Sequence, residues 1–190
     1  MWLRLLFGPR QLPAATRRRV LTPSEAEAGG TTLTGIARCA SVEIDSAVSG
    51  ERCLVFGLRG TVGEDDLADA DGGDIDLELP SGERVMVSLE HAMLVADTPP
   101  AAGAREIEVV PGSLLASLLE SRGVAYEGET ASLEEHLVRD GDEITVTGEP
   151  LSGTVTSFGQ RSGEAPRVLA GTEERPVILR AAASARRSRS

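Results

Sequence analysis

The chain has 190 residues, of which 41% are hydrophobic and only 3% aromatic. This length fits one domain with a core of leucine, valine, isoleucine and alanine. All 19 basic residues are arginine, as is typical of a high-GC coding sequence, and the absence of lysine excludes a Schiff base on a side-chain amine and a Walker A phosphate loop.

The net charge of -11 is distributed unevenly along the chain. Residues 1–20 contain five arginines and no acid, and residues 181–190 contain three arginines and no acid. The residues between them carry all 30 acids against 11 arginines, a net charge of -19. A body with this charge repels phosphate backbones, so nucleic acid is an unfavourable partner.

Residues 1–30 are predicted to be a basic and apolar N-terminal segment that continues into a linker rich in proline and glycine. A weak peripheral membrane contact is predicted for its apolar side chains, which are Trp2, Leu3, Leu5, Leu6 and Phe7. The alternative is a frayed terminus or one that packs on the body. No run approaches the ~18 apolar residues of a membrane-spanning helix, so we expect a cytoplasmic protein, peripheral at most to the inner face of the membrane.

The first strands are predicted from extended and apolar runs. Thr31–Ser41 has the pattern of a strand, and Cys53–Phe56 is continuously apolar, as a centrally buried strand requires. Because both cysteines fall in these runs, Cys39 and Cys53 are predicted to be buried free thiols, with a cross-strand disulfide as the alternative. Two cysteines and two histidines are too few for a zinc-binding RING or ribbon.

An acidic stretch and a hairpin follow. Glu64–Asp76 contains seven acids and is predicted to be a solvated loop. Within it, residues 69–74 weakly resemble a calcium-binding loop, but Asp74 stands where that loop requires glycine. The apolar and polar residues then alternate along Ile75–Leu79 and Val85–Leu89, which predicts a β-hairpin with a proline- and glycine-containing turn.

A short strand at Ile107–Val109 and two short helices are predicted next. The first helix begins at Ser113, carries four leucines and ends at Gly123.

The second helix is predicted from the capping-box spacing of Ser132 and Glu135. Leu133 and Leu137 lie four residues apart, on one face of such a helix. The helix must end by Gly141, because Asp-Gly-Asp is typical of a turn and glycine accepts positive φ.

Short strands complete the chain, and they are predicted at Ile144–Val146, Val155–Phe158, Val168–Leu169 and Val177–Leu179. Residues 31–180 are therefore predicted to form a single β-rich domain, and residues 181–190 a disordered basic tail. The predicted fold class is mainly β with minor α: a small antiparallel, OB-like, partly open barrel or sandwich with two short helices.

Several segments occur in an order known from one family. They are Thr34–Ala37, Ser49–Phe56, the hairpin Ile75–Val87, the stretch Glu134–Glu149 with its Gly-Asp pair, and the final Val168–Leu169 and Pro176–Leu179. Together they resemble the GIDE-type domain, also called BAM (beside a membrane), of mitochondrial membrane ubiquitin ligases and many bacterial proteins. The resemblance implies a non-catalytic, membrane-adjacent recognition domain. It does not imply ligase activity, because the sequence lacks the RING ligands and the flanking transmembrane helices.

We therefore predict a non-catalytic binding or scaffold domain that recognises a protein partner. No residue is assigned a catalytic, cofactor-binding or metal-binding role, because the chain has no G-x-S-x-G, H-E-x-x-H or G-x-G-x-x-G motif. One alternative is an oligonucleotide- or sugar-binding OB-like module, with Phe56, Tyr126 and Phe158 as the candidate stacking residues. The other is a carboxylate-dependent hydrolase, which a deep pocket with two converging carboxylates would favour.

Overall fold

A computed structural model describes residues 19–21, 30–95, 104–126, 128–151, 167–172 and 174–181. These residues form fourteen strands and one α-helix. In chain order the elements are β1 (Arg19–Leu21), β2 (Thr31–Cys39), β3 (Ile44–Asp45), β4 (Arg52–Cys53), β5 (Val55–Val62), β6 (Asp65–Gly72), β7 (Ile75–Glu78), β8 (Arg84–Val87), β9 (Ala92–Val95), β10 (Arg105–Glu108), α1 (Leu114–Arg122), β11 (Thr130–Val138), β12 (Glu143–Leu151), β13 (Arg167–Ala170) and β14 (Val177–Ala181).

Five strands close a small barrel. They follow the order β12-β13-β8-β7-β2, and β2 pairs again with β12 in an antiparallel register that places Ile36 opposite Glu143. β7 and β8 form the predicted hairpin, with Ile75 opposite Val87. The structure confirms the mainly β fold and the small barrel. The barrel is closed, whereas the sequence predicted a partly open one.

A mixed sheet extends from β12. β14 pairs antiparallel with β12, β9 pairs parallel with β14, and β1 pairs parallel with β9 as the outermost strand. The sequence assigned Arg19–Leu21 to the N-terminal linker, and for these three residues the assignment is wrong. Their partner is the edge of β9, which no local pattern in residues 1–30 could reveal.

A second sheet has the strand order β10-β11-β5-β6. On one of its faces, Leu115 and Leu119 of α1 form a hydrophobic cluster with side chains of β5 and β11. Val55 and Val138, at the other end of β5 and β11, belong to the core of the barrel. The two cores therefore meet along these two strands.

Helix α1 is the first predicted helix, and the structure confirms both of its ends. The Oγ of Ser113 accepts a hydrogen bond from the amide of Ala116 at 3.1 Å, as an N-cap does. Gly123 ends the helix with a φ of 71°, in the left-handed region that glycine enters without strain.

The second predicted helix is wrong, because Thr130–Val138 forms the central strand β11. β11 pairs with β5 on one side and with β10 on the other. A spacing of four residues places Leu133 and Leu137 on one face of a strand as well as of a helix, since four is a multiple of the strand period of two. The two-sided pairing decided the structure over the local capping signal.

The predicted acidic loop is also wrong over most of its length, because Asp65–Gly72 forms β6. β6 is an edge strand, and its buried residues include Leu67 and Ala70. The amide of Ala70 donates to the carboxylate of Asp69 at 2.9 Å, and the amide of Gly72 donates to that of Asp71 at 2.8 Å. Closely spaced aspartates are compatible with a strand here because an edge can carry charge, which also discourages pairing with other chains.

Several predictions concern residues outside the described part of the chain. They are the membrane contact of residues 2–7, the strand at Val155–Phe158 with the stacking residue Phe158, and the basic tail after residue 181. Within the described residues, no helix has the length and apolar character needed to cross a membrane.

Candidate functional site

A groove of about 660 Å³ lies between the end of α1 and the turn that joins β5 to β6. Its volume falls in the range of small-molecule and side-chain binding sites. Nine residues line it, and they are Val62, Gly63, Glu64, Asp65, Glu120, Val124, Ala125, Tyr126 and Glu129.

An ion pair fixes the helical wall of this groove. Arg122, in the last turn of α1, contacts Asp69 of β6 through both Nε and Nη2, and Nη2 lies 3.2 Å from Oδ1. The side chain of Asp69 is 7% exposed and that of Arg122 is 20% exposed. Such a two-nitrogen contact is directional as well as charged, so it sets the position of the helix end against the sheet.

The floor of the groove depends on how the chain leaves α1. After Gly123 the backbone reverses, and Tyr126 is buried within the cluster beneath the helix. Its hydroxyl donates a hydrogen bond to Oε1 of Glu120, and its carbonyl oxygen accepts one from the amide of Glu129 at 2.9 Å. The tyrosine therefore supplies an apolar ring to the groove while its polar end stays paired with an acid.

The opposite wall is the β5–β6 turn. Gly63 has a φ of 57°, and its amide donates to the carbonyl of Thr130 at 3.4 Å. A Cβ at Gly63 would lie 2.8 Å from Oε2 of Glu129, so the glutamate side chain lies directly against this turn. Because residue 63 is a glycine, the carboxylate of Glu129 has room to reach the groove.

The groove is acidic around its opening and partly apolar inside. Four of its nine lining residues are acids, all exposed, and none is basic: Glu64, Asp65, Glu120 and Glu129. Val62, Val124 and Ala125 add aliphatic surface. A group with an aliphatic stem and a cationic head matches this arrangement. A metal ion is a poorer match, because no three His, Cys, Asp or Glu side chains in the described ranges are grouped so as to hold one.

A buried histidine lies elsewhere on the second sheet. His136 of β11 stands opposite Gly57 of β5, is 8% exposed, and has no hydrogen-bond partner at Nε2. Burial lowers the pKa of its imidazole, and the nearby charge of Arg59 lowers it further against the opposing effect of Glu134 and Glu135. It lies on the strand face opposite to that of Leu133, which packs in the α1 cluster, so it is not part of the groove.

A buried serine is used to hold a loop. Ser46 is fully buried, and its Oγ donates to Oε1 of Glu135. The same carboxylate oxygen accepts a hydrogen bond from the amide of Ser49 at 3.2 Å. These contacts fasten the turn between β3 and β4 to β11, and the burial of Ser46 keeps its hydroxyl from meeting a substrate.

The two cysteines differ in environment. Cys53 is buried as predicted, and burial, with a smaller contribution from Glu135, raises its pKa to about 12. Cys39 is exposed, so its predicted burial is wrong. It is the last residue of β2, and its amide donates to Oδ1 of Asp140 at 3.0 Å. Both thiols are free.

Sequence reasoning assigned no site residues and did not find the groove. Tyr126 was named as a stacking candidate, and the structure places it in the groove floor. Phe56, named with it, is buried in the cluster beneath α1 and offers no exposed ring. The acids of the groove come from three separate segments of the chain, so only the fold brings them together.

Comparisons with known proteins do not place the chain in a family. It matches no protein-family model, and no curated protein and no solved structure is significantly similar to it.

Proposed function

We propose that the chain is a non-catalytic binding domain, and that its groove receives a basic segment of a protein partner. The observation that carries this proposal is the composition of the groove: four acids, no base and an apolar floor that includes Tyr126. A lysine or arginine side chain would place its methylene groups on the floor and its charged head among the carboxylates. Tyr126 is 9% exposed, so its ring adds a small apolar area to that floor.

The exposure of the acids supports binding over hydrolysis. Catalytic carboxyl pairs work because one member lies in a protected, apolar environment and the other in a polar one. All four acids of the groove are exposed, so none of them lies in the protected environment that one member of such a pair requires. Exposed pairs are individually weak, which fits a domain that binds a partner reversibly through several contacts.

The oligonucleotide- or sugar-binding alternative has less support. The described residues include most of the acids of residues 21–180, whose net charge is -19. Single-stranded nucleic acid instead requires positive grooves and exposed rings. Phe56 is buried, which removes one of the three rings named as stacking candidates.

The resemblance to the GIDE-type domain supports the same proposal. It implies a recognition domain beside a membrane, so we extend the proposal to a cytoplasmic protein held at the inner face of the membrane through Trp2, Leu3, Leu5, Leu6 and Phe7. Flotation of the full chain with anionic vesicles tests this part, and the quadruple variant Trp2→Ser, Leu3→Ser, Leu5→Ser and Leu6→Ser should no longer float.

The groove proposal is tested with a fluorescein-labelled peptide of alternating arginine and alanine. We expect Glu120→Gln/Glu129→Gln to weaken its binding about tenfold, equivalent to ~1.4 kcal/mol. The control Glu83→Gln/Glu90→Gln removes the same charge from exposed acids outside the groove, and should weaken binding much less. Equal losses in both variants would show attraction to the acidic surface as a whole and would contradict the proposal.

A further inference from the structure

The outer edge of β9 is covered by the short strand β1. β9 pairs with β14 on one side, and on the other side Arg19 stands opposite Met93 and Leu21 opposite Val95. Leu94 and Val95 are buried. Without β1, β9 would be an edge strand with unpaired N–H and C=O groups beside an apolar core, which is a template for pairing with another chain.

β1 has less backbone pairing than β14. It has three residues and pairs with one strand, whereas β14 has five residues and pairs with two. Its pairing with β9 is parallel, so no hairpin turn fixes it. Residues 22–29 separate it from the next described residue. Pairing through the main chain of a short extended segment is the way in which peptides add to sheet edges.

We propose that the outer edge of β9 is a strand-addition site for a protein partner, which Arg19–Leu21 occupies within this chain. The partner segment is extended, runs parallel to β9 and has the chemistry of residues 17–21, three arginines followed by two aliphatic residues. β1 lies against β6, three of whose four aspartates are exposed, so a partner segment with basic side chains is attracted to this edge. This site rests on backbone pairing and does not depend on the groove.

The covalent link determines how the site behaves. A tethered segment competes at the high effective concentration that a short linker gives. A free segment therefore binds the intact chain weakly and binds strongly once β1 is released. Release of β1 is thus the step that makes the site available to a partner.

The test uses the full chain and a labelled synthetic peptide with the sequence of residues 16–22, Thr-Arg-Arg-Arg-Val-Leu-Thr. The variant Val20→Pro/Leu21→Pro is designed to release β1. Neighbouring residues of a strand direct their N–H groups to opposite sides, so one of these two residues directs its N–H group towards β9, and proline has no N–H group. At least one ladder bond to β9 is then lost whichever residue makes it. The matched control peptide, Thr-Arg-Arg-Arg-Pro-Pro-Thr, has the same charge and cannot form the ladder.

We expect the proline variant to bind the first peptide saturably, with an affinity at least about tenfold higher than that of the wild type. It should bind the control peptide no more tightly than the wild type does. The milder variant Val20→Ala/Leu21→Ala should bind the first peptide with an affinity between those of the wild type and the proline variant. Equal binding of both peptides would reduce the effect to charge and overturn the proposal, as would no binding at all. If both variants failed to fold, β1 would be an integral strand, and the proposal would again be overturned.

Discussion

Arg122 of the helix and Asp69 of the edge strand form a largely buried ion pair, and this pair connects two elements whose apolar side chains also pack in one cluster. Asp69 lies in the acid-rich stretch that the sequence suggested was a loop. Its carboxylate accepts bonds from Arg122 and from the amide of Ala70. One aspartate thus contributes both to the edge of the sheet and to the position of α1.

Removing this pair should destabilise the domain. We expect Asp69→Asn to lower the free energy of unfolding by about 2–5 kcal/mol, because it leaves the Arg122 guanidinium without its partner in a site of low exposure. Urea unfolding measures this. The control is Glu51→Gln, which breaks the exposed pair with Arg139 and should cost less than about 1 kcal/mol. Similar losses in the two variants would show that the Arg122 contact is not structural.

Gly60 should tolerate no side chain. It has a φ of 150°, and a Cβ there would lie 1.9 Å from the carbonyl oxygen of Ser132 in the neighbouring strand β11. Gly50 also has a positive φ, of 68°, but open space around it. We expect Gly50→Ala to cost about 1 kcal/mol, from backbone strain alone, and Gly60→Ala to cost clearly more because β5 and β11 must separate. Urea unfolding ranks the two, and an equal cost would contradict the close approach of these strands.

His136 should make the domain less stable in mild acid. Its pKa in the folded state is lowered by burial, whereas the unfolded imidazole titrates near ~6.5. Above that pH both states are neutral and His136 contributes no pH dependence. As the pH falls below it, the unfolded state takes up a proton that the folded state does not, so the free energy of unfolding decreases by at most ~1.4 kcal/mol per pH unit.

The variant His136→Leu isolates this effect. Its free energy of unfolding should fall less than that of the wild type between pH 7 and pH 5. The measurement is urea unfolding at several pH values. Parallel slopes for the wild type and His136→Leu would mean that the buried imidazole is protonated in the folded state.

The two thiols should react at very different rates. Cys39 is exposed, whereas Cys53 is buried with a pKa raised to about 12, and the thiolate is the reactive form. We expect one equivalent of a maleimide to react quickly with the folded protein and the second only after unfolding. In Cys39→Ser the fast phase should disappear. A fast phase that survives this substitution would place Cys53 at the surface and contradict the core of the second sheet.

Local patterns were sufficient for some elements of the fold and insufficient for others. The hairpin β7–β8 and helix α1 were predicted because their turn and cap residues lie next to these elements in the sequence, as Ser113 and Gly123 do. β11 was predicted as a helix because the spacing of Leu133 and Leu137 fits either structure. Its pairing with β5, whose partner residues lie 69 to 83 residues away in sequence, decided between them.

The groove could not be predicted for a related reason. Glu64, Glu120 and Glu129 are ordinary acids in an acidic chain, and nothing in their spacing distinguishes them from solvated residues. They share a site only because β5 and β11 are neighbours and because Arg122 holds the end of α1 to β6. The pairing of β1 with β9 is likewise a long-range contact without a local signal.

The central claim, that the groove binds a basic partner segment, is tested most directly by titrating the ¹⁵N-labelled protein with the arginine–alanine peptide and following its backbone amides. The account predicts that the largest saturable shifts occur at Val62–Asp65, at Glu120 and at Val124–Tyr126, which line the groove. Shifts spread over the acidic surface, or greatest on the barrel hairpin near Glu83, would contradict it.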